Sequence, residues 1–417
     1  MPYLPNYRGL HRVGLSTFTK PIRPCPTYGN AQLANGEKAL KMEEVAFSVF
    51  YPAAPADKAH KGVPWLMRPV STTLGGWAEF SGVPKWLLSP AGHLLAAPLD
   101  MPVYPNAPLL EPTTSGGRWP LVLFSHGLLG GRSMYSQFCG RLASEGFVVI
   151  ALEHRDGTGP AVVVRSETGK MSTKHYLKPE QVTWPENASA SQFTLREDQL
   201  LFRTREIYEA HNAFAKMVSG EEAGLHMLDE SEYNPAVWKD RVQCKEDITL
   251  AGHSFGGATV LTLLGNSPPN NNPLPISRVM CLDPWVEPIA GFVPPLDETR
   301  PPIIVLNSEG FTLWTGHFER LHKIISDWKT ANASHGTLLT IVRSEHQSFS
   351  DFPVILPLKG GRALKTLDVV HRLSLAFIHD TVPQELAKLP KRTMEIDGKP
   401  GKKMLKGNEN DIVIHLE

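Results

Sequence analysis

From Trp119 onwards, short apolar runs alternate with segments of helical periodicity, and this alternation constrains the fold more than any other feature of the chain. Continuous apolar runs bounded by turn residues predict buried strands. They occur at Pro120–Phe124, Phe147–Leu152, Ile248–Ala251, Arg278–Leu282, Pro302–Leu306 and Thr337–Val342. Helical patterns lie between or after them, at Met134–Ser144, Leu195–Val218, Phe255–Leu264, His317–Trp328 and Leu367–His379. This order predicts an α/β fold with a mostly parallel central sheet and helices on both faces.

The segments outside this alternation set the predicted domain organisation. Val45–Tyr51 predicts an early strand, so we expect the main domain to span residues 45–390. An N-terminal extension at 1–44 precedes it, and a peripheral, charged C-terminal tail follows at 391–417. Within the domain, residues 57–111 form an insertion rich in proline and tryptophan.

Charge, hydropathy and cysteine use exclude several classes of protein. Lysine plus arginine and aspartate plus glutamate both number 42, so no basic surface for nucleic acid is predicted. No apolar stretch is long enough to predict a transmembrane segment, and we expect no secretory signal in MPYLPNYRGL. Four widely spaced cysteines favour free thiols and a reducing, cytoplasmic location. We therefore expect the sequons at Asn187 and Asn332 to be chance matches.

One motif predicts a nucleophile. Gly252-His253-Ser254-Phe255-Gly256 follows a predicted strand and precedes a predicted helix, which is the setting of a nucleophile elbow. The flanking glycines allow a turn so tight that the serine backbone is strained and its hydroxyl is exposed at the end of the strand. We therefore expect Ser254 to attack a carbonyl carbon.

Two later residues can activate this serine. A serine hydroxyl is a poor nucleophile at neutral pH and needs a base, which an acidic residue orients. Asp283 directly follows one predicted strand and His346 follows the last one, and the order Ser, Asp, His is typical of this kind of fold. We expect His346 to take the proton of Ser254 and Asp283 to hold the imidazole. Four residues keep alternatives open, namely His322, His335, Glu309 and Asp351.

Acyl transfer also needs hydrogen-bond donors for the developing oxyanion. The segment Phe124–Leu128 follows a strand and enters a loop, as in esterases, so we expect the amides of Leu128 and Phe255 to be these donors. The His126 ring is expected to brace the loop.

The run Glu153-His154-Arg155-Asp156 offers a further carboxylate and histidine. It precedes Ser254, which is the wrong order for a catalytic pair in this fold, so we interpret it as a structural ion-pair cluster. No metal-binding motif is present in the sequence, and neither a metal nor another cofactor is expected.

Several segments taken together resemble a known family. They are WPLVLFSHGLLGGRSMYS (119–136), LASEGFVVIALEHRDGTG (142–159), ITLAGHSFGGATV (248–260), CLDPWVEP (281–288), IIVLNSEGF (303–311) and VRSEHQSFSDFP (342–353). In order and spacing they are similar to the plasma and type II intracellular platelet-activating factor acetylhydrolases. The resemblance implies an α/β-hydrolase fold and calcium-independent hydrolysis of the sn-2 acetyl, or a short or oxidised acyl, group of glycerophospholipids. It also implies the same catalytic and oxyanion residues as the motifs do.

The insertion lies where members of this family carry an amphipathic segment that contacts lipid. Its candidate residues for contact with substrate or lipid are Trp77, Phe80, Trp86, Leu87 and Leu88, and Trp285 after the candidate aspartate is a further one. Exposed aromatic residues can enter a lipid interface and give peripheral membrane contact, and a packed lid explains the same pattern equally well.

Two other functions stay open on the sequence. A general carboxylesterase, or a hydrolase of polyester or cutin-like substrates, uses the same serine motif. A catalytically inactive lipid-binding protein can retain the same fold. The acyl-chain length, the head group, the physiological substrate and the oligomeric state are not determined by the sequence.

Overall fold

The computed structural model describes residues 3–55, 62–113, 117–185, 191–289, 300–331, 336–399 and 402–416, with the side chains of 330 and 331 left aside. The sequons Asn187 and Asn332 and the alternative base His335 lie outside the described residues.

Nine strands of five residues or more build the main sheet. They are β1 (Arg12–Pro21), β2 (Glu44–Ala53), β3 (Leu121–Ser125), β4 (Val148–Glu153), β5 (Ile248–His253), β6 (Ile276–Leu282), β7 (Ile303–Ser308), β8 (Gly336–Ile341) and β9 (Ile412–Leu416). The nine helices of the described residues are α1 (Val70–Ser81), α2 (Lys85–Leu95), α3 (Ser136–Ser144), α4 (Thr194–Ser219), α5 (Phe255–Gly265), α6 (Glu309–Leu313), α7 (Thr315–Ala331), α8 (Gly360–Ile378) and α9 (Val382–Leu386).

The strands lie in the order β1-β2-β4-β3-β5-β6-β7-β8-β9. The six strands from β4 to β8 in this order are mutually parallel, whereas β2 is antiparallel to both of its neighbours and β9 is antiparallel to β8. The mostly parallel sheet predicted from the sequence is therefore confirmed. Because parallel strands end at one edge, the loops after β3, β5, β6, β7 and β8 meet there.

Helices cover both faces of the sheet, as predicted. Successive residues of a strand point to opposite faces, so Leu121 and Leu123 of β3 join one core while Val122 and Phe124 join the other. The first core is covered by α4, α5 and α7, and the second by α3 and α8. Strands buried on both sides explain why the sequence shows continuous apolar runs there.

The main sheet is wider than the predicted domain. Residues 12–21, placed in the N-terminal extension, form β1, which pairs along its full length with β2. Residues 412–416, placed in the peripheral tail, form β9 and pair with β8. Both strands lie near the ends of the sheet and pair antiparallel, so neither belongs to a β-α repeat. Neither strand shows the continuous apolar run that marks the parallel strands in the sequence. The boundaries expected at 45 and 390 are therefore too narrow.

The insertion folds as two helices above the end of the sheet. Helices α1 and α2 pack on each other, and the apolar side of α1 joins the second core through Val70 and Leu74. Four short antiparallel pairs lie outside the main sheet in the described residues: Thr27–Gln32 with Lys38–Lys41, Val63–Pro64 with Asp100–Met101, Ala161–Arg165 with Met171–His175, and Ile396–Asp397 with Met404–Leu405. Three two-residue strands, Tyr104–Pro105, His226–Met227 and Lys391–Arg392, extend the main sheet. No described helix has the length and apolar character needed to cross a bilayer.

Candidate active site

Ser254 occupies the turn between β5 and α5 in a strained conformation. Its φ is 58° and its ψ is −120°, values that a non-glycine residue adopts only under constraint. A Cβ atom on Gly256 would lie 2.0 Å from the carbonyl oxygen of Ser125, and one on Gly252 would lie 2.3 Å from that of Gly256. Only glycine fits at both places, so the sequence folds here into the elbow that the motif predicts.

Ser254, His346 and Asp283 form one chain of hydrogen bonds. His346 Nε2 lies 3.0 Å from Ser254 Oγ, and His346 Nδ1 lies 2.9 Å from Asp283 Oδ2. The three residues follow β5, β8 and β6, whose ends meet at one edge of the sheet. Asp283 is fully buried and Ser254 is 7% exposed, while His346 is partly open to the pocket. The structure thus brings together the three residues predicted from the sequence.

The Asp283 carboxylate is held by the end of β7. Ser308 donates its backbone N–H to Asp283 Oδ1 at 2.6 Å and its hydroxyl to Oδ2. Together with His346, these donors hold the carboxylate in a single orientation. A buried carboxylate with three hydrogen-bond donors is suited to stabilise a positive imidazole without leaving its place.

The alternative acids and bases have other partners. Glu309 accepts hydrogen bonds from the backbone and guanidinium of Arg343. Asp351 accepts hydrogen bonds from the backbone N–H and hydroxyl of Ser136 at the start of α3, where a negative charge is favoured. His322 lies within α7. Of the three candidate acids, all of them described, only Asp283 is hydrogen-bonded to His346.

The His346 ring packs against two other rings. Phe311 of α6 stacks on it with ring centres 4.1 Å apart and planes 2° apart, and His253 lies on it at 4.6 Å and 34°. Such contacts restrict the rotation of the imidazole. No local pattern in the sequence predicts this role for Phe311, although the residue lies in one of the segments that carry the family resemblance.

Two backbone amides near Ser254 are free to bind an oxyanion. The Phe255 N–H begins α5 and therefore has no acceptor within the helix. The Leu128 N–H has no acceptor among the described residues, whereas the neighbouring Leu129 N–H donates to Thr158. Phe255 directly follows Ser254, and Leu128 lines the same pocket as Ser254, so their role as oxyanion donors stays a prediction.

A buried ionic network holds the loop that carries Leu128. Arg203 of α4 donates to the Asp156 carboxylate at 2.9 Å and to the carbonyl oxygen of His126 at 2.6 Å. Burial lowers the pKa of His126 to about 3, so its ring is neutral, and its Nε2 accepts the backbone N–H of His154. The run 153–156 is therefore a structural ion-pair cluster, and His126 braces the loop, as expected.

A second Ser-His-acid chain lies within this network. The Ser125 hydroxyl is 2.7 Å from His154 Nε2, and His154 Nδ1 is 2.7 Å from a carboxyl oxygen of Glu206. Burial raises the pKa of Glu206 and lowers that of His154, so neither group favours a charge. Ser125 and His154 are completely buried, so no substrate can reach them.

A pocket of about 340 Å³ opens above Ser254. Its apolar lining comes from the insertion, the Leu128 loop and the His346 loop, through Trp77, Phe80, Leu88, Leu128, Leu129 and Phe352. Its polar lining comes from Tyr135, His253, Ser254, His346, Gln347, Ser81 and Ser350. None of the described lining residues is a lysine, arginine, aspartate or glutamate. The pocket therefore suits an uncharged, apolar group beside the nucleophile.

A larger cleft of about 870 Å³ lies elsewhere, next to β1. Its lining includes the ion pairs of Arg155 with Glu44 and Glu153. Ser254, His346 and Asp283 are not among the residues that line this cleft. We therefore place the chemistry in the smaller pocket.

The candidate residues of the insertion fall into two groups. Trp77, Phe80 and Leu88 line the pocket above Ser254. Trp86 and Leu87 face away from it and are 75% and 57% exposed. The insertion is therefore both a wall of the pocket and an apolar outer surface.

Trp285 has a different place from that expected. Its ring packs against Phe193 and Phe255, and its backbone N–H donates to the carbonyl oxygen of Ser254. These contacts support the backbone of the Ser254 turn.

His253, Asp283 and His346 bring possible metal-ligand atoms within 4.8 Å of one another. Both ring nitrogens of His346 are hydrogen-bonded to Ser254 and Asp283, and both ring nitrogens of His253 have protein partners. A metal bound here would displace those hydrogen bonds, so the donors present suit proton transfer better than metal binding.

Comparison with known proteins identifies the family. Residues 2–389 match the family model described as platelet-activating factor acetylhydrolase, isoform II. This chain belongs to that family. A platelet-activating factor acetylhydrolase from Gallus gallus is 29% identical over 84% of this chain and 80% of its own length. A putative phospholipase A2 from Schizosaccharomyces pombe is 27% identical over 78% and 79%, respectively.

The fold comparison agrees with the family. A ferulic acid esterase from Streptomyces cinnamoneus superposes with a TM-score of 0.57 over 91% of this chain and 92% of its own, at 16% sequence identity. The shared feature is the fold, an α/β-hydrolase sheet with helices on both sides. As a platelet-activating factor acetylhydrolase family member, the protein is a serine hydrolase of carboxylic esters, and a phospholipid substrate fits this family.

Proposed function

We propose that the protein hydrolyses the sn-2 ester of glycerophospholipids that carry an acetyl or another short or oxidised acyl group, without calcium. The observation that carries the proposal is the hydrogen-bonded chain of Ser254, His346 and Asp283 at the base of an uncharged, apolar pocket. The family membership supports the lipid substrate.

The proposed reaction has two steps. His346 Nε2 takes the proton of Ser254 Oγ as the oxygen attacks the ester carbonyl, and Asp283 stabilises the resulting imidazolium. The amides of Leu128 and Phe255 bind the oxyanion. His346 then gives its proton to the leaving glycerol oxygen, which releases a lysophospholipid and leaves an acyl-Ser254. Water, deprotonated by His346, releases the short acid and restores the serine.

The pocket supports a short acyl group. Its volume of about 340 Å³ is near the lower limit for ligand pockets, and Trp77, Leu129 and Phe352 line it. Since the described lining carries no formal charge, nothing there neutralises a phosphate. We infer that the head group stays in solvent while the acyl group alone enters.

The outer surface of α2 supports contact with a lipid surface. Trp86 and Leu94 are 75% and 77% exposed, and Leu358, in the segment that follows the pocket residue Phe352, is fully exposed. Large apolar residues exposed next to an esterase pocket are typical of interfacial contact. Such contact would let the protein take its substrate from a membrane without spanning it.

A labelling experiment tests the nucleophile. A fluorophosphonate should modify the wild-type protein at Ser254, and Ser254→Ala should lose both labelling and turnover. Ser374→Ala is a matched control, since Ser374 is a fully buried serine whose hydroxyl bonds only to its own helix. An adduct on any other residue, or turnover retained by Ser254→Ala, would exclude the proposal.

A substrate series tests the specificity. We expect turnover of sn-2 acetyl phosphatidylcholine in the presence of a calcium chelator, and a steep decline towards sn-2 palmitoyl. Equal rates across chain lengths would favour the general carboxylesterase. Lipid binding without turnover of any ester would favour an inactive lipid-binding protein.

Membrane contact is tested separately. Trp86→Ser combined with Leu94→Ser should reduce co-sedimentation with phosphatidylcholine vesicles while leaving hydrolysis of p-nitrophenyl acetate intact. Leu201→Ser is the matched control, because Leu201 is an apolar residue of α4 that is 45% exposed. Unchanged sedimentation of the double variant would refute the membrane contact.

A further inference from the structure

Two buried residues connect the loop of the oxyanion amide to the loop of the base. The backbone N–H of Gly127 donates to the hydroxyl oxygen of Tyr135 at 3.2 Å. That oxygen lies 2.8 Å from His253 Nδ1, and His253 Nε2 lies 3.0 Å from the backbone carbonyl oxygen of His346. Gly127 immediately precedes Leu128, so the chain of bonds runs from one side of the pocket to the other.

For a neutral His253 ring, only one arrangement of protons satisfies all three bonds. A carbonyl oxygen can only accept, so His253 must carry its proton on Nε2 and donate it to His346. Its Nδ1 is then an acceptor, and the Tyr135 hydroxyl must donate to it. The tyrosine oxygen keeps a lone pair for the Gly127 N–H. Every group is paired, and every bond has a fixed direction.

We propose that Tyr135 and His253 are positioning residues, which hold the Leu128 amide and His346 at a fixed separation on either side of Ser254. This inference rests on the proposed function, because it assigns the two residues to that reaction. It gives a role to the histidine of the elbow motif, which neither attacks nor transfers a proton. The rigidity matters because oxyanion donors are effective only when they are placed before the charge develops.

The link also suits the charge that His346 acquires. During the reaction His346 becomes an imidazolium, and the His253 ring lies only 4.6 Å away. A second cation at that distance would oppose the reaction. Burial and the charge of His346 lower the pKa of His253, which keeps its ring neutral. The neutral ring can therefore contact the base without repelling it.

Removal of one oxygen atom tests the link. Tyr135→Phe should lower kcat for p-nitrophenyl acetate by about 10- to 100-fold, in the range of weakened oxyanion stabilisation, with KM changed by less than about twofold. Tyr51→Phe is the matched control: the Tyr51 hydroxyl is also buried and bonds a serine side chain and a carbonyl, but it lies in the other core. The kcat of Tyr51→Phe should equal that of the wild type, although its loss of thermal stability should be comparable to that of Tyr135→Phe.

A second pair of variants separates position from packing. His253→Gln keeps one donor and one acceptor and should retain more kcat than His253→Leu. The double variant Tyr135→Phe with His253→Leu should lose no more kcat than the worse single variant, because residues that act as one unit are not additive. Losses that multiply, or a Tyr135→Phe kcat equal to that of Tyr51→Phe, would overturn the inference.

The two proposals fail in different ways. A wild-type protein that is not labelled at Ser254 refutes the proposed function itself. Normal labelling and turnover of the wild type, with no effect of Tyr135→Phe on kcat, refutes the positioning link alone.

Discussion

Replacing Asp283 by asparagine inverts the hydrogen-bonding direction at one atom of the proposed active site. In the wild-type protein, the Asp283 carboxylate accepts three hydrogen bonds, from the Ser308 backbone, the Ser308 hydroxyl and His346 Nδ1. Asparagine has one oxygen and one NH₂ group in the same volume. Because the Ser308 backbone N–H can only donate, it keeps the oxygen, and the NH₂ group then faces His346.

The size of the effect follows from the tautomer. An NH₂ group donating to His346 Nδ1 forces the imidazole proton onto Nε2, which then points at Ser254 and cannot accept its proton. In serine hydrolases with this geometry, a wrong tautomer costs about 10⁴ in kcat, or about 5 kcal/mol of transition-state stabilisation. The fold should tolerate the change, because the side chain keeps its shape and its contact with Ser308.

The assay is the steady-state hydrolysis of p-nitrophenyl acetate, with thermal unfolding measured on the same samples. Glu309→Gln is the matched control: Glu309 directly follows β7 and was an alternative acid, but it bonds Arg343 and the Leu405 backbone instead. We expect its kcat within about threefold of the wild type, because Glu309 makes no hydrogen bond to Ser254, His346 or Asp283. A kcat loss below tenfold in Asp283→Asn, or a larger loss in Glu309→Gln, would refute the assignment of the acid.

Three further predictions concern the stability and reactivity of the fold. In the folded protein the pKa of His126 is about 3 and that of His371 is about 4, and both lie below the unfolded value of 6.5. Between each folded pKa and 6.5, the unfolded chain therefore binds more protons than the folded protein. Urea stability should therefore fall as the pH drops from about 6.5 towards 4, by up to about 1.4 kcal/mol per pH unit for each histidine, and a flat profile would contradict this. Arg203→Met leaves the Asp156 carboxylate buried without its partner and should destabilise the protein by about 3–5 kcal/mol, measured by urea unfolding; an unchanged midpoint would show that the pair adds little. A thiol reagent applied to the native protein should modify Cys25 alone, since the other three cysteines are buried, and four thiols should react after unfolding.

The sequence alone determined the order of the parallel strands and of the long helices between Trp119 and Ile378, whereas the hairpin of Ala161–Arg165 with Met171–His175 and the short helix α6 were not predicted. It could do so because each parallel strand is buried on both faces, and this requirement leaves a continuous apolar run in the chain. The elbow around Ser254 was also predictable, because the tight turn leaves no room for a Cβ atom at its glycines, and this requirement is local. The family resemblance, carried by short motifs, agrees with the family that the comparison identifies.

The two outer strands β1 and β9 were not predicted. Each pairs antiparallel near an end of the sheet, where the apolar pattern is weaker and no β-α repeat reveals the strand. The positions of Phe311 and Tyr135 were missed for another reason. Their contacts with His346 and His253 join segments far apart in the chain, and no local periodicity records such contacts.

Residue type and order along the chain restricted the acid to Asp283, Glu309 or Asp351, and the base to a few histidines. Which of these meet was decided by the register of the sheet. Leu282 pairs with His253 on one side and Leu306 on the other, so Asp283 emerges level with Ser254. Side-chain chemistry is a property of the sequence, whereas the distance between two side chains depends on how distant strands pair, and only the tertiary structure determines that pairing.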